Sequence, residues 1–339
     1  MWPRKRKNSC RVATSSRTHL TNAMAAAQPK KVYRYQSISA LTIKSLCHDE
    51  LYFAAPAGFN DPHDCKPTVE SDSEKETLRK ILSELIKRRV AAETLGALRN
   101  ARIQGTKAEE HAQRSGEQTA HGGLEDVAYN ATNPEYGDNE EEAECWLLAN
   151  EIQRELLMQY DRGVCCFSEA VNNPLLWSHY GDQHRGICIG YGLNRIPKPK
   201  LHKVVYGGSR TLRTTLIARA LLEKEPEAQA LLDRDVLLRK APSWRYEREW
   251  RLLGERGSQD SCLELVDLTF GLRCPYALQH ALISALTPKR ANVKFFEMYE
   301  MRGSFKLKRK PVDTAELGRY FPKIAESGEE MFGSVPPAA

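Results

Sequence analysis

Trp177-Ser178-His179-Tyr180-Gly181-Asp182-Gln183-His184-Arg185-Gly186 runs directly into the β-prone Ile187-Cys188-Ile189-Gly190-Tyr191, and this stretch decides how the chain is interpreted. Its first ten residues hold two histidines, a tryptophan, a tyrosine, an acid and an arginine. Loops at the end of a rigid strand are where binding and catalytic groups concentrate. We therefore expect the centre of a functional site here, with ligand contacts from His179, Tyr180 or His184. The alternative is a packed corner held by hydrogen-bonded histidines.

A second charged stretch lies further along, at Trp244-Arg245-Tyr246-Glu247-Arg248-Glu249-Trp250-Arg251-Leu252. Alternation predicts a strand over 245–253 that places the side chains of Arg245, Glu247, Glu249 and Arg251 on one face. Carboxylates and arginines on one face are costly to bury unless they pair. Two interpretations stay open, a paired surface ladder or a carboxylate in a cleft, with Lys240 as a nearby cation.

Short strands mixed irregularly with helices predict an α+β fold, a single domain with a mixed or antiparallel sheet and flanking helices. Its predicted bounds are 31–311, between a basic tail at 1–30 and a C-terminal extension at 312–339. An apolar stripe at helical spacing predicts one long helix after Ser71-Asp72-Ser73. The residues of that stripe are Leu78, Ile81, Leu82, Leu85, Ile86 and Val90. Apolar residues in 105–139 no longer recur at helical spacing, which predicts a loop insertion there.

The charge of +6 is unevenly distributed along the chain. Residues 1–31 hold eight Lys and Arg and no acid, which leaves 42 basic and 44 acidic residues, a net charge of −2, for 32–339. Only the tail is therefore basic enough for nucleic acid. We expect the tail to be translated upstream sequence before a start at Met24, a disordered arm or a targeting signal. No apolar core of a secretory signal follows it.

Nine cysteines, without a C-x-x-C pair, favour reduced thiols in a cytoplasmic protein over a disulfide framework. No apolar run approaches the roughly 18 residues of a membrane span, so no membrane partner is expected.

Two shorter motifs are further candidates for ligand contact. Phe59-Asn60-Asp61-Pro62-His63-Asp64 predicts an ordered turn, in which Asn60 and Asp61 hold nearby backbone amides or reach a ligand. Tyr33-Arg34-Tyr35 lies on the first predicted strand, where an arginine could clamp a phosphate or be an ordinary edge residue. His179 and His184 are five residues apart, which does not fit a helical zinc pair, and we predict no resident metal.

Taken together, these segments resemble the family catalogued as domain of unknown function 2971. The matching landmarks span about 31–310. They are Tyr33-Arg34-Tyr35, Leu51-Tyr52-Phe53 with Phe59-Asn60-Asp61-Pro62, Cys166-Phe167-Ser168, Trp177-Ser178-His179-Tyr180 with His184-Arg185-Gly186, Val205-Tyr206, Lys240 with 244–251, and Phe270-Gly271-Leu272-Arg273. The opening strand, helix and strand are also similar to ADP-ribosyltransferase-like domains, at the level of the fold alone.

The second resemblance implies an enzyme that uses NAD as its substrate, in a toxin or phage-defence setting. Glu247 or Glu249 would stabilise the positive charge that develops on ribose, and His179 or His184 would orient a hydroxyl or act as a base. Trp177 or Tyr180 would stack on nicotinamide, and Arg34 would hold the pyrophosphate. The rest of the predicted nucleotide-binding set is Tyr35, Asn60, Asp61 and Arg251. Arg34 stands where many relatives have histidine.

Three functions stay open from the sequence. The first is an NAD-dependent ADP-ribosyltransferase or NAD glycohydrolase with an unidentified acceptor. The second is a nucleotide-sensing or interaction module without catalysis. The third is a metal-dependent hydrolase or nuclease that would use Asp61, Asp64, His179, His184 and a glutamate. In the first two, the expected partner is a small-molecule nucleotide, and nucleic acid would bind only through the basic tail.

Overall fold

A computed structural model describes residues 27–136, 139–160, 162–288 and 290–323, together with residues 325, 327 and 333. The predicted start at Met24 and most of the basic tail lie outside these residues. The described chain is α+β, as predicted, and its largest sheet has eight strands in parallel and antiparallel pairs.

The helices and strands are numbered in chain order. The helices are α1 (Ala40–His48), α2 (Lys75–Asn100), α3 (Thr106–Ala131), α4 (Glu140–Gln159), α5 (Pro174–His179), α6 (Thr214–Leu221), α7 (Pro226–Leu237), α8 (Tyr276–Leu286) and α9 (Thr314–Tyr320). The strands are β1 (Lys31–Gln36), β2 (Glu50–Phe53), β3 (Thr68–Glu70), β4 (Gly163–Ser168), β5 (Ile187–Gly192), β6 (His202–Lys203), β7 (Val205–Tyr206), β8 (Thr211–Arg213), β9 (Arg239–Lys240), β10 (Glu249–Gly254), β11 (Gly257–Asp260), β12 (Glu264–Phe270), β13 (Lys294–Glu300) and β14 (Leu307–Pro311).

The described residues group into two compact units. The first unit holds residues 27–28, 52–166 and 200–257, and the second holds 29–51, 167–199 and the described residues from 258 onward. The predicted domain bounds, 31–311, stay a prediction. Of the described helices, none combines the length and the apolar character that crossing a bilayer requires.

The second unit is built on a sheet whose neighbouring strands run in the order β14, β13, β12, β5, β1. The pair β12 and β13 is parallel, and helix α8 makes the connection between them. Strands β12 and β1 both pair antiparallel with β5, which is buried along its whole length. A strand buried on both faces is expected to be a continuous apolar run, and Ile187-Cys188-Ile189-Gly190-Tyr191 is one.

The first unit has a helical core. The predicted stripe on α2 is confirmed, since Leu78, Ile81, Leu82, Leu85 and Ile86 are buried in one cluster. That cluster also contains apolar residues of α4, α6 and α7. Arg89, on the basic side of α2, is paired rather than solvated. Its guanidinium donates to both carboxylate oxygens of the buried Glu155 at 2.6 and 3.0 Å.

The predicted loop insertion at 105–139 is wrong for most of its length, because 106–131 form helix α3. The buried face of α3 consists mainly of small residues, Ala108, Ala112, Gly116, Ala120, Val127 and Ala131. Small side chains let helices α2 and α3 approach closely: a Cβ added to Gly116 would lie 2.9 Å from the Lys87 carbonyl oxygen. A search for large apolar residues at helical spacing does not detect such a face.

The predicted strand over 245–253 is also wrong in its first half. Residues 242–247 form a 3-10 helix, and strand β10 begins only at Glu249. Between them, Arg248 adopts the left-handed conformation, with φ of 49°. Glu247 therefore does not share a strand face with Glu249, whereas Glu249 and Arg251 do.

Candidate functional site

The carboxylates at positions 247 and 249 meet at one ammonium group inside the first unit. Lys240 Nζ lies 2.6 Å from Glu247 Oε2, 3.0 Å from Glu249 Oε2 and 3.4 Å from Asp64 Oδ2. The turn at Arg248 brings Glu247 back to this cation although it lies outside the strand. We call Asp64, Lys240, Glu247, Glu249 and Arg251 the charge cluster.

Arg251 forms the other half of the charge cluster. Its guanidinium donates to both oxygens of Glu249 at 2.8 and 3.1 Å, to Asp64 Oδ2 at 2.7 Å and to the Leu237 carbonyl oxygen at 2.7 Å. The Phe59 ring lies 5.5 Å from the guanidinium carbon. Arg251 is fully buried, and bidentate pairing of this kind offsets the desolvation of both ions.

The charge cluster holds three carboxylates and two cations, a formal charge of −1 if all are ionised. Burial alone would raise the pKa of Glu249, but Arg251 and Lys240 outweigh it and lower the pKa to about 2. Burial would also lower the pKa of Lys240, yet the carboxylates of Glu249, Glu247 and Asp64 raise it above its usual value. Glu249 and Lys240 are therefore charged at neutral pH.

Aromatic side chains border the charge cluster. Lys240 Nζ lies 5.1 Å from the Trp244 ring, and the Trp244 and Tyr246 rings are 6.0 Å apart at an angle of 38°. Both rings are partly exposed, in contrast to the buried charges beside them. Tyr206 Oη accepts a hydrogen bond from the Glu249 amide at 2.8 Å. The arrangement offers a flat apolar face next to buried negative charge.

The predicted turn at Asn60 and Asp61 belongs to the same unit. Asp61 is buried, and its Oδ1 accepts a hydrogen bond from the His63 amide at 2.9 Å, as in an Asx turn. Asn60 is exposed. Asp64 follows this turn and lies in the charge cluster. The sequence had not predicted that contact for Asp64. The only signal for it was its position in the same polar turn.

The remaining predicted site residues lie in the second unit, where two of the aromatic ones belong to the core. Trp177 is fully buried, donates from Nε1 to the Val171 carbonyl oxygen at 2.9 Å and meets the Tyr35 ring edge-on at 5.1 Å. Tyr35 Oη donates to the Ala170 carbonyl oxygen at 2.7 Å. Trp177 was predicted to stack on nicotinamide and Tyr35 to belong to the nucleotide-binding set, but both rings fill the interior of this unit and neither presents a free face to a ligand.

The other candidates of this unit are more accessible. Arg34 is half-buried and opposite Ile189 on β5, on the other sheet face from Tyr35. His179 is exposed at the end of α5, with its ring 6.2 Å from that of the partly buried Tyr180.

The loop after α5 holds His184 in a strained backbone. Asp182, Gln183 and His184 have φ angles of 49°, 51° and 72°, a left-handed run that L-residues rarely adopt. The His184 amide donates to the Trp177 carbonyl oxygen at 3.2 Å, and the His184 carbonyl accepts from the Arg273 amide at 2.9 Å. The imidazole is stacked on the Trp177 ring at 6.3 Å. Strain of this kind persists only where the surroundings fix it.

Residues 177–191 and the charged residues of β9 and β10 fall within one family model. Residues 176–252 match the family DUF2971. This family is described as a protein of unknown function, and the resemblance inferred from the sequence is confirmed over these residues. The DUF2971 match includes His179, His184, Lys240, Glu247 and Glu249. No curated protein and no solved structure matches the chain, so the ADP-ribosyltransferase-like fold stays a prediction.

Proposed function

We propose that the charge cluster is the centre of an enzyme that breaks the nicotinamide–ribose bond of NAD, as an ADP-ribosyltransferase or NAD glycohydrolase. The observation that carries the proposal is the meeting of Glu247 and Glu249 at Lys240, beside the aromatic pair Trp244 and Tyr246. In this reaction the bond between ribose C1′ and the nicotinamide nitrogen breaks, and its electron pair leaves with neutral nicotinamide. Water or an acceptor then bonds to C1′ and loses a proton.

The charge of the cluster suits this reaction. Positive charge develops on the ribose in the transition state, as it does in glycoside cleavage. A carboxylate already ionised and fixed in a poorly solvated site stabilises such charge without reorganising. The pKa of about 2 for Glu249 means that this carboxylate stays ionised throughout the physiological pH range.

The contacts of the two glutamates indicate different roles. Both oxygens of Glu249 are bound by the Arg251 guanidinium, and Oε2 also accepts from Lys240. Glu247 lies on the 3-10 helix that also presents Trp244 and Tyr246. We assign Glu247 to the contact with ribose and Glu249 to positioning Lys240 and Arg251, while the two rings would stack on nicotinamide.

A metal-dependent reaction receives less support from the same residues. The carboxylates of the charge cluster are bound by Lys240 and Arg251, and no group of three or more His, Cys, Asp or Glu within the described residues is arranged for a metal ion. The predicted carboxylate Asp61 is engaged in its own turn.

The test measures nicotinamide release from NAD by the purified full chain, followed by liquid chromatography with and without a chelator. We expect release that survives the chelator and falls about 100-fold or more in Glu247→Gln, the scale typical of losing one electrostatic contact to a transition state. The matched control is Glu109→Gln, an exposed glutamate on α3 of the same unit.

Thermal unfolding of each variant separates lost catalysis from lost structure. A folded wild-type protein that releases no nicotinamide would overturn the proposal. If that protein binds NAD without converting it, the nucleotide-sensing alternative replaces the enzyme. Release that requires a metal ion would favour the hydrolase.

A further inference from the structure

A cavity of about 1050 Å³ lies wholly within the second unit, at the upper end of the size range of small-molecule sites. Its lining comes from the loop of His184, the segment from β12 to the start of α8, strand β13, and the turn before β14. It combines aromatic rings, cations, the buried Gln279 side chain and the partly buried His184. The residues that matter for its chemistry are His184, Arg273, Tyr276, Gln279, Phe305 and Lys306.

Gln279 gives the cavity a fixed hydrogen-bond acceptor. The side chain is only 3% exposed, and its Nε2 donates to the Cys274 carbonyl oxygen at 3.2 Å. Its Oε1 has no hydrogen-bond partner among the described residues. A buried acceptor without a donor is costly, and turning the amide over would place two oxygens against each other at Cys274. This oxygen is itself buried, so a ligand that reaches it would have to donate a hydrogen bond there.

His184 adds a second polar group on a rigid ring. Burial lowers the pKa of its imidazole, and the charge of Arg273 lowers it further against a smaller opposite effect of Glu300. The ring is therefore neutral at pH 7. Its buried Nδ1 has no partner within the described part of the chain, and the ring lies nearly parallel to that of Trp177, with 6.3 Å between centroids. A neutral imidazole nitrogen can pair with a ring nitrogen of a heterocycle.

The rest of the lining suits a planar ring joined to an anion. Tyr276 and Phe305 are exposed aromatic residues on this wall. Arg273 and Lys306 are exposed cations that form no ion pair with another described residue, whereas Lys310 is bound to Glu297 at 2.9 Å. Two exposed cations near aromatic faces are the usual components of a phosphate and base site.

We propose that this cavity binds an adenine mononucleotide. The exocyclic amine of adenine would donate to Gln279 Oε1, a ring nitrogen would pair with His184, the base would stack on Tyr276 or Phe305, and the phosphate would pair with Arg273 and Lys306. The proposal does not depend on NAD chemistry in the charge cluster.

The first experiment compares AMP, IMP and adenosine by isothermal titration calorimetry on the full chain. IMP replaces the donating amine with a carbonyl oxygen, which would face the Gln279 oxygen. We expect AMP to bind at least tenfold more tightly than IMP, because leaving a buried acceptor unpaired costs about that factor or more. Adenosine, without the phosphate, is expected to bind more weakly than AMP. Equal binding of AMP and IMP, or no binding of AMP, would overturn the proposal.

The second experiment assigns the binding to the cavity. Gln279→Met keeps the length of the side chain and removes the acceptor, so AMP affinity should fall tenfold or more. Gln113→Met, the same exchange on the exposed face of α3, is the matched control. Lys306→Ala should weaken AMP and leave adenosine unchanged.

If Gln279→Met melts at the wild-type temperature and still binds AMP as tightly, the cavity is not the site. Calorimetry is done without NAD, so it reports on the cavity whether or not the charge cluster turns NAD over. Failure of either proposal can thus be told from failure of the other.

Discussion

Gly271 lies so close to His184 that a Cβ at position 271 would be 2.2 Å from the His184 carbonyl oxygen. The same added atom would be 3.0 Å from the Trp177 ring. Since the Arg273 amide donates to that carbonyl, the end of β12 and the left-handed loop are fixed against each other by backbone contacts. The glycine is required here by space rather than by its φ angle.

Gly271→Ala should therefore destabilise the protein and disturb the cavity at His184. The obstructing atom is backbone and cannot rotate away, so we expect a loss of about 1–3 kcal/mol in the free energy of unfolding, measured with denaturant. Gly318→Ala on α9 is the control, since nothing lies within 4 Å of its added Cβ, and it should be neutral or slightly stabilising. Equal stability of the two variants would contradict this account of the loop.

Lys240→Met should be among the most destabilising substitutions in the first unit. It leaves Asp64, Glu247 and Glu249 buried around one fewer cation, and losing one partner of a buried ion pair costs about 3–5 kcal/mol. Denaturant unfolding at neutral pH measures the effect. Lys200→Met is a useful comparison, because Lys200 is exposed on the same unit. A loss no larger than that of the comparison would mean that the charge cluster contributes little to stability.

Acid should weaken the protein through Glu249. Its pKa is about 2 in the folded protein against an ordinary 4.5, so its charged form stabilises the fold above pH 4.5. That contribution is lost as the pH falls from 4.5 through 2. The free energy of unfolding, measured by urea titration at several pH values in this window, should fall more steeply in wild type than in Glu249→Gln. Parallel pH curves for the two proteins would show that Glu249 is not responsible.

The packing of α3 on α2 should be sensitive to substitution of Gly116. Gly116→Val should lower the free energy of unfolding by about 1–3 kcal/mol, because its Cβ would meet the Lys87 carbonyl oxygen at 2.9 Å. Gly122→Val, on the same helix with nothing within 4 Å of the added Cβ, is the matched control. Amide hydrogen exchange of 106–131 provides a second measurement. Rapid exchange throughout this range in the wild-type protein would contradict a stable helix.

Elements with strong local signals could be predicted from the sequence. The stripe on α2 predicted its buried face, and the β-prone run at 187–191 is strand β5. These features follow from residues close together in the chain. The α+β class followed from the same pattern.

The wrong predictions have physical causes that cannot be recognised from local sequence patterns. Helix α3 buries small residues, so its face carries little hydrophobic signal. The alternation at 244–252 suggested one strand, but the left-handed turn at Arg248 interrupts it. Trp177 was predicted to stack on a ligand because the motif itself does not show that the ring is buried. Its burial depends on Tyr35, which is distant in sequence, and on Val171, which lies outside the motif. Within the charge cluster, Glu247 and Glu249 were predicted, whereas the contribution of Asp64 required the fold.

The charge cluster also restricts how this protein can change over evolutionary time. Exchange of Lys240 alone removes one cation from three buried carboxylates, and exchange of Arg251 alone removes one from two of them, so most single steps pass through a destabilised intermediate. A chain that retains the fold without these charges would have to replace them together by apolar residues of similar volume. The five positions are thus expected to be inherited as a block, and a homologue that lacks one of them should carry compensating changes at the others.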